Sequence, residues 1–255
     1  MTVREGHQKC LALHRKGGAV RLAGVYRMFL GRRQGLNIWI VDGEKVCLEL
    51  FPDFIMGGND QRYRFNPPGD IWIDNRLGIE ELEYTIAHEL IERRMMRERG
   101  WSYERAHAQG GLSLERVMRQ RDARRAAHRS AIYRAYVGKR DGAEVWIVDG
   151  PRVRLELNPD FCFVTHDKKS KFVPKGEIWL DSAMSIEEAY YALRQARIER
   201  KLMLAGVRWP RVYECAQQQV LDERRRQARL AARHESALPC VSYGVRERGV
   251  RPDVQ

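Results

Sequence analysis

Trp39-Ile40-Val41-Asp42-Gly43 returns as Trp146-Ile147-Val148-Asp149-Gly150, and the offset of 107 residues between them holds far to either side. Upstream, Val25-Tyr26-Arg27-Met28-Phe29-Leu30-Gly31-Arg32-Arg33-Gln34-Gly35 aligns with Ile132-Tyr133-Arg134-Ala135-Tyr136-Val137-Gly138-Lys139-Arg140-Asp141-Gly142. Downstream, Pro52-Asp53-Phe54 matches Pro159-Asp160-Phe161, and Ile71-Trp72-Ile73-Asp74 matches Ile178-Trp179-Leu180-Asp181. Ile79-Glu80-Glu81 matches Ile186-Glu187-Glu188. Self-similarity at a fixed spacing implies two copies of one fold, here over about 24–121 and 131–228.

Within each copy the pattern reads as strands first and helices second. Alternating apolar and polar residues over Val25 to Leu30, Asn37 to Val41 and Lys45 to Leu50 are separated by turns at Arg33 to Gly35 and at Asp42-Gly43. They predict an antiparallel β-meander, with a fourth strand at Ile71 to Asp74 after the Gly-, Asn- and Pro-rich loop from Gly57 to Asp70. From Gly78 the period changes: Ile79, Leu82, Ile86, Leu90 and Met95 predict a helix that Gly100 ends. Acidic residues near its start and arginines near its end complement the helix dipole. A second helix is expected from Tyr103, with Gly110-Gly111 as an interruption before Leu112. The second copy repeats this, with Arg152 to Leu157 and Glu177 to Asp181 as strands and helices near 185–205 and 210–233.

The fold class expected is therefore α+β, a tandem duplication in which each unit is a meander followed by two helices. The organisation reads as a basic segment over 1–23, a first unit over 24–121, a helical linker over 122–130, a second unit over 131–233 and an irregular tail over 234–255.

The 255 residues are 44% apolar and 31% charged, as befits a globular chain with long exposed helices. No apolar run approaches the roughly 20 residues that cross a membrane, and residues 1–33 lack the apolar block of a secretory signal, so a cytoplasmic location is expected. Five scattered cysteines without a CxxC pair argue against a disulfide framework or a cysteine-based zinc site. The net charge of +12 favours polyanionic partners, nucleic acid or acidic protein, through the arginine-rich helices Arg119 to Arg129 and Arg224 to Arg233. The same runs also suit a solvated helix face.

Chemistry concentrates in Ile86-Ala87-His88-Glu89-Leu90-Ile91-Glu92-Arg93 and Tyr103-Glu104-Arg105-Ala106-His107. His88 and Glu92, four apart on a helix, point the same way and can share an ion. Glu89 projects about 100° further round, where it can hold a water. His107 offers a third ligand from the next helix, leaving the fourth position of a tetrahedral zinc open, as catalytic sites require. The other reading makes His88 and His107 polar groups hydrogen-bonded to glutamates.

The second copy sharpens the choice. His88 aligns with Gln195 and Glu89 with Ala196, and after a three-residue insertion His107 aligns with Gln217. Asp53/Asp160, Asp74/Asp181, Tyr84/Tyr191 and Arg93/Arg200 occur in both copies and read as framework. Glu92 is retained as Glu199, which leaves it either a ligand or the partner of an arginine. His128 and His166 have no partner identifiable in the sequence.

The strand Asp70 to Asp74, the acidic linker and Tyr84-Thr85-Ile86-Ala87-His88-Glu89-Leu90 together resemble the active-site strand and helix of small zincin metallopeptidases, whose motif is His-Glu-x-x-His. The resemblance covers residues 70–119, and the chain also looks like uncharacterised bacterial and phage proteins. It implies zinc held by His88, Glu92 and His107, with Glu92 standing where the family has its second histidine. It further implies Glu89 as general base, Tyr103 or an arginine at the oxyanion, and a peptide lying along Ile71 to Asp74. The function expected is a zinc-dependent peptidase or hydrolase with one active and one degenerate unit. The competing reading is a non-catalytic, phage- or mobile-element-type protein that grips nucleic acid or an acidic protein.

Overall fold

A computed structural model describes residues 19–20, 22–52, 54–127, 129–209, 211–238 and 241–242. Asp53, His128, Cys10, Cys240, the basic segment up to residue 18 and the tail beyond 242 lie outside the described residues.

The duplication is reproduced in three dimensions as a mixed α+β architecture. The first copy forms β2 (Tyr26–Arg33), β3 (Leu36–Val41), α1 (Gly43–Glu49), β4 (Gly57–Asn59), β5 (Asp70–Asp74) and α2 (Leu82–Arg99), after a two-residue strand β1 (Ala19–Val20). It ends in a composite helix: α3 (Tyr103–Arg105), a π-helical stretch (Ala106–Gly111) and α4 (Leu112–Ala126). The second copy forms β6 (Tyr133–Arg140), β7 (Ala143–Val148), α5 (Gly150–Glu156), β8 (Val164–His166), β9 (Glu177–Asp181), α6 (Ile186–Leu204) and α7 (Arg211–Ala237). A last strand, β10 (Val241–Ser242), pairs antiparallel with β1.

The two four-stranded sheets have the same order, β2-β3-β5-β4 and β6-β7-β9-β8. Their irregularities match as well: β2 is bulged between Tyr26 and Met28 and between Phe29 and Gly31, and β6 between Tyr133 and Ala135 and between Tyr136 and Gly138.

The meander is overturned. The stretch from Lys45 to Leu50 is helix α1, not a strand, and Arg152 to Leu157 falls in α5 and its C-cap. Asp42 and Asp149, read as hairpin-turn residues, are N-caps whose carboxylates accept from the backbone N–H of Lys45 at 3.0 Å and of Arg152 at 3.1 Å. Val46 and Leu50, four apart, are buried, while Leu48 between them is exposed, so the helical period wins over the alternating one. The glycines after the caps serve close approach: a Cβ on Gly43 or Gly150 would sit within about 2.4 Å of the carboxylate of Asp74 or Asp181. With a helix in place of the third strand, β3 and β5 pair in parallel, as do β7 and β9. Strand β5 is therefore interior, and the edge strands are β2 and β4, the latter antiparallel to β5.

Two compact units divide the chain: Met1–Asn75 with Tyr84–Arg116 and Leu230–Gln255, and Arg76–Glu83 with Val117–Arg229. They do not coincide with the sequence repeats, because each takes the end of a helix that begins in the other. In the first, Leu230, Ala231 and Leu238 pack against Leu22, Tyr26, Trp39 and Trp72. His234 stacks on Trp39 at 4.6 Å and lies 2.7 Å from Asp70. In the second, Arg129 covers the equivalent Tyr133 and Trp146, at 4.8 and 4.4 Å, and bonds Glu177, the counterpart of Asp70.

Candidate metal centre

Helix α2 lies against β4, where Gly57 faces Thr85 and Glu89, and turns one polar face toward the composite helix. His88, Glu89 and Glu92 on that face are all buried. The π-helical stretch brings His107 to them. Its Gly111 lies against the His88 ring, where a Cβ would fall 2.3 Å from Nε2, so only glycine lets the helix come this close. Gly110-Gly111 therefore widens the helix and does not interrupt it.

Three side-chain atoms converge: His88 Nε2 is 2.9 Å from His107 Nδ1 and 3.5 Å from Glu92 Oε2, and His107 Nδ1 is 3.1 Å from the same oxygen. A tetrahedral zinc with bonds of about 2.0–2.2 Å spaces its ligands about 3.3–3.5 Å apart. The 3.5 Å separation matches that spacing, while 2.9 and 3.1 Å are hydrogen-bond lengths that would open slightly around an ion. Two imidazoles and one carboxylate are a donor set that could hold one, and the three residues form the one His/Cys/Asp/Glu cluster of that kind among the described residues. Glu92 thus faces both histidines, and Arg93, next along the helix, pairs with Asp60.

Two residues that sequence reasoning did not single out complete the centre. Glu115, on α4, lies 3.2 Å from His88 Nδ1 through Oε2, the outer-shell carboxylate that commonly orients a metal-binding imidazole. Asn59, fully buried on β4, donates from Nδ2 to Glu89 Oε2 at 2.9 Å and to Glu92 Oε1 at 2.8 Å. Its Oδ1 accepts from the backbone N–H of Gln61 and Arg62, which fixes which end of the amide faces the glutamates.

Burial raises the Glu89 pKa above the ordinary carboxylate range, and the charge of Glu92 adds to this. Burial acts on Glu92 too, but hydrogen bonds from His107, His88 and Asn59 overcome it and hold that carboxyl below the usual range. For His88 burial disfavours the charge, yet the bond to Glu92, the charge of Glu89 and the bond to Glu115 outweigh it and raise the pKa to about 9.

The centre opens into a cleft of about 400 Å³ lined also by Met56, Arg62, Tyr63, Thr85, Tyr103 and Leu112. Tyr103 stands over His107, ring centroids 5.4 Å apart, and burial raises its pKa, so its hydroxyl stays protonated.

At the same place in the second copy, Glu199 accepts from Gln195 at 2.8 Å and has Lys169 Nζ at 3.5 Å. His166 occupies the position of Asn59. Its Nδ1 accepts from Lys168 N–H as Asn59 Oδ1 does from Gln61 N–H, and its buried Nε2, 3.6 Å from Glu199, has no hydrogen-bond partner.

The basic helices are largely engaged in ion pairs. Arg119 pairs with Glu81, Arg121 and Arg125 with Asp122, Arg224 with Glu188, Arg225 with Asp222 and Arg226 with Glu223. No helix among the described residues is long and apolar enough to cross a membrane. Comparison with protein-family models, curated proteins and solved structures gives no match.

Proposed function

We propose that the protein is a zinc-dependent hydrolase of peptide or related amide bonds, zincin-like in its first copy, with the second copy a degenerate scaffold. The observation that carries this reading is the convergence of His88 Nε2, Glu92 Oε2 and His107 Nδ1 at 2.9–3.5 Å in the wall of an open cleft, with a buried glutamate of raised pKa beside it.

When bound, zinc supplies a Lewis acid that polarises a scissile carbonyl and makes water a nucleophile near neutral pH. Glu89 takes a proton from the attacking water and returns it to the leaving amine. A carboxyl shifted toward neutrality suits both transfers. Asn59 aims Glu89 and Glu92 from one amide, and Glu115 fixes the orientation of the His88 ring. Tyr103, lining the cleft beside His107, would donate to the developing oxyanion. A peptide has no room along Ile71 to Asp74, which is paired on both sides, nor along Gly57–Asn59, which is buried and whose carbonyls accept from Asn66, Arg62 and Tyr63. The ion pairs on the arginine-rich helices weigh against nucleic acid as the principal partner.

The test is elemental analysis followed by hydrolysis of a peptide library, with Glu89→Gln as control. The expected result is about one zinc per chain, kept in Glu89→Gln while turnover drops about 10²–10⁴-fold. No zinc after reconstitution, or equal turnover in the variant, overturns the reading.

A further inference from the structure

Arg62 is an unexpected cation. It lines the cleft together with Glu89, Glu92 and Glu115, yet among the described residues its guanidinium pairs with no carboxylate. Tyr103 holds it, with the guanidinium carbon 3.6 Å from the ring centroid, and Tyr63 flanks it at 5.7 Å. Its Nε is buried without a hydrogen-bond partner. Its backbone is fixed by Asn59, whose side-chain oxygen accepts from the Arg62 N–H at 3.2 Å. Arginine presents a rigid fork of donors matched to a carboxylate, and an unfilled buried N–H is costly unless a partner arrives.

The second copy shows what the same position does without a cleft to serve. There Lys169 aligns with Arg62 and turns onto the retained glutamate, 3.5 Å from Glu199. In the first copy Glu92 is satisfied by two histidines and an asparagine, and stacking on Tyr103 keeps Arg62 off it. The cation is fixed beside the centre, hydrogen-bonded to Tyr63 and with no carboxylate paired to it among the described residues.

We infer that Arg62 is a substrate-binding residue that receives a carboxylate close to the bond being cleaved, so that the substrates are short peptides or acylated amino acids bearing that group. This rests on the hydrolase reading for its chemistry but not for its binding. The carboxylate has two sources, the C-terminus of the chain or an aspartate or glutamate side chain.

The experiment is retention on immobilised full-length Glu89→Gln protein, loaded with zinc and stripped of it. The probes are randomised N-acetyl tripeptides as free acids, as C-terminal amides, and as amides with an aspartate or glutamate at the third position. The expected result is retention of the free acids or of the acidic amides at least about tenfold stronger than of neutral amides. That preference should be weakened in Arg62→Lys and lost in Arg62→Gln, both with unchanged zinc content. Preference for free acids identifies a C-terminal carboxylate, and preference for both acidic forms identifies the group itself. Equal retention of all forms, no retention, or a preference that survives Arg62→Gln overturns the inference. Failure of the hydrolase reading appears separately, as absent zinc or absent turnover with the carboxylate preference intact.

Discussion

Glu92 and Glu199 are the same carboxylate on the same helix of the same fold, and both are buried. Around Glu92 stand His88, His107 and Asn59; around Glu199 stand Gln195, Lys169 and His166. A buried carboxylate needs compensation, and the two copies provide it differently. The second uses an amide and its own ammonium group, and Glu199 is held below the usual carboxylate range, burial notwithstanding, by His166, Gln195 and Lys169. The first offers imidazoles, of which His88 holds a proton beside Glu92 in the metal-free protein and would give it up to a metal ion. Retention of the glutamate in both copies is thus compatible with metal binding in one. What distinguishes them is whether the compensating charge is a proton that an imidazole can exchange for a metal ion or a lysine ammonium that cannot.

The largest test of this contrast is the pair His88→Ala and Gln195→Ala. The first should abolish zinc binding, and the second should leave the zinc content of the chain as it was, both read by elemental analysis. Zinc kept in His88→Ala would break the comparison.

Next is what the copies share. Arg93 pairs with Asp60, both buried, and Arg200 with Asp167, both half-buried, and each aspartate also accepts a backbone N–H, from Gly69 or Gly176. Removing one partner of a buried pair leaves the other charge uncompensated, so Asp60→Ala should destabilise by about 3–5 kcal/mol in denaturant titrations, and Asp167→Ala, at the more exposed pair, by less. No effect at all in one copy would show that the frameworks have diverged along with the sites.

The smallest effect is in pH. His88 in the metal-free protein has its pKa raised above that of an unfolded histidine, so its protonated form is favoured by folding. The stability this contributes is fully present below about pH 6.5 and is lost as pH rises through about 9. Burial of Glu89 acts in the same direction. The metal-free protein should therefore lose on the order of 1–3 kcal/mol over that window, and zinc should cancel the loss because binding displaces the proton. His88→Gln, which makes the first copy resemble the second, should flatten the profile.

The parts of the centre legible in the sequence were those that local geometry dictates. His88 and Glu92 share a face because a helix repeats every 3.6 residues, and absence of the histidines from the second copy marked them as special. Asn59 and Glu115 were not legible, because their approach to α2 depends on the packing of an edge strand and on a π-helical turn, neither of which leaves a periodic trace. A signal did exist: the 107-residue offset pairs Asn59 with His166 and Arg62 with Lys169, exchanges in the very copy that lacks the histidine pair. Helix α1 was misread because six residues of alternating polarity fit a strand and a short helix equally, and only burial of Val46 and Leu50 decides between them.

The ends of the long helices bear on how such a chain can change over time. Leu230, Ala231 and Leu238 finish the core beneath Trp39 and Tyr26, and Arg129 finishes the one beneath Trp146 and Tyr133. Cutting the gene between the repeats would strip the chemically equipped half of the turns that cover its indole and phenol rings. A copy without the histidine pair is thereby shielded from deletion: it is inherited as the closing piece of its neighbour, whether or not it holds a site of its own.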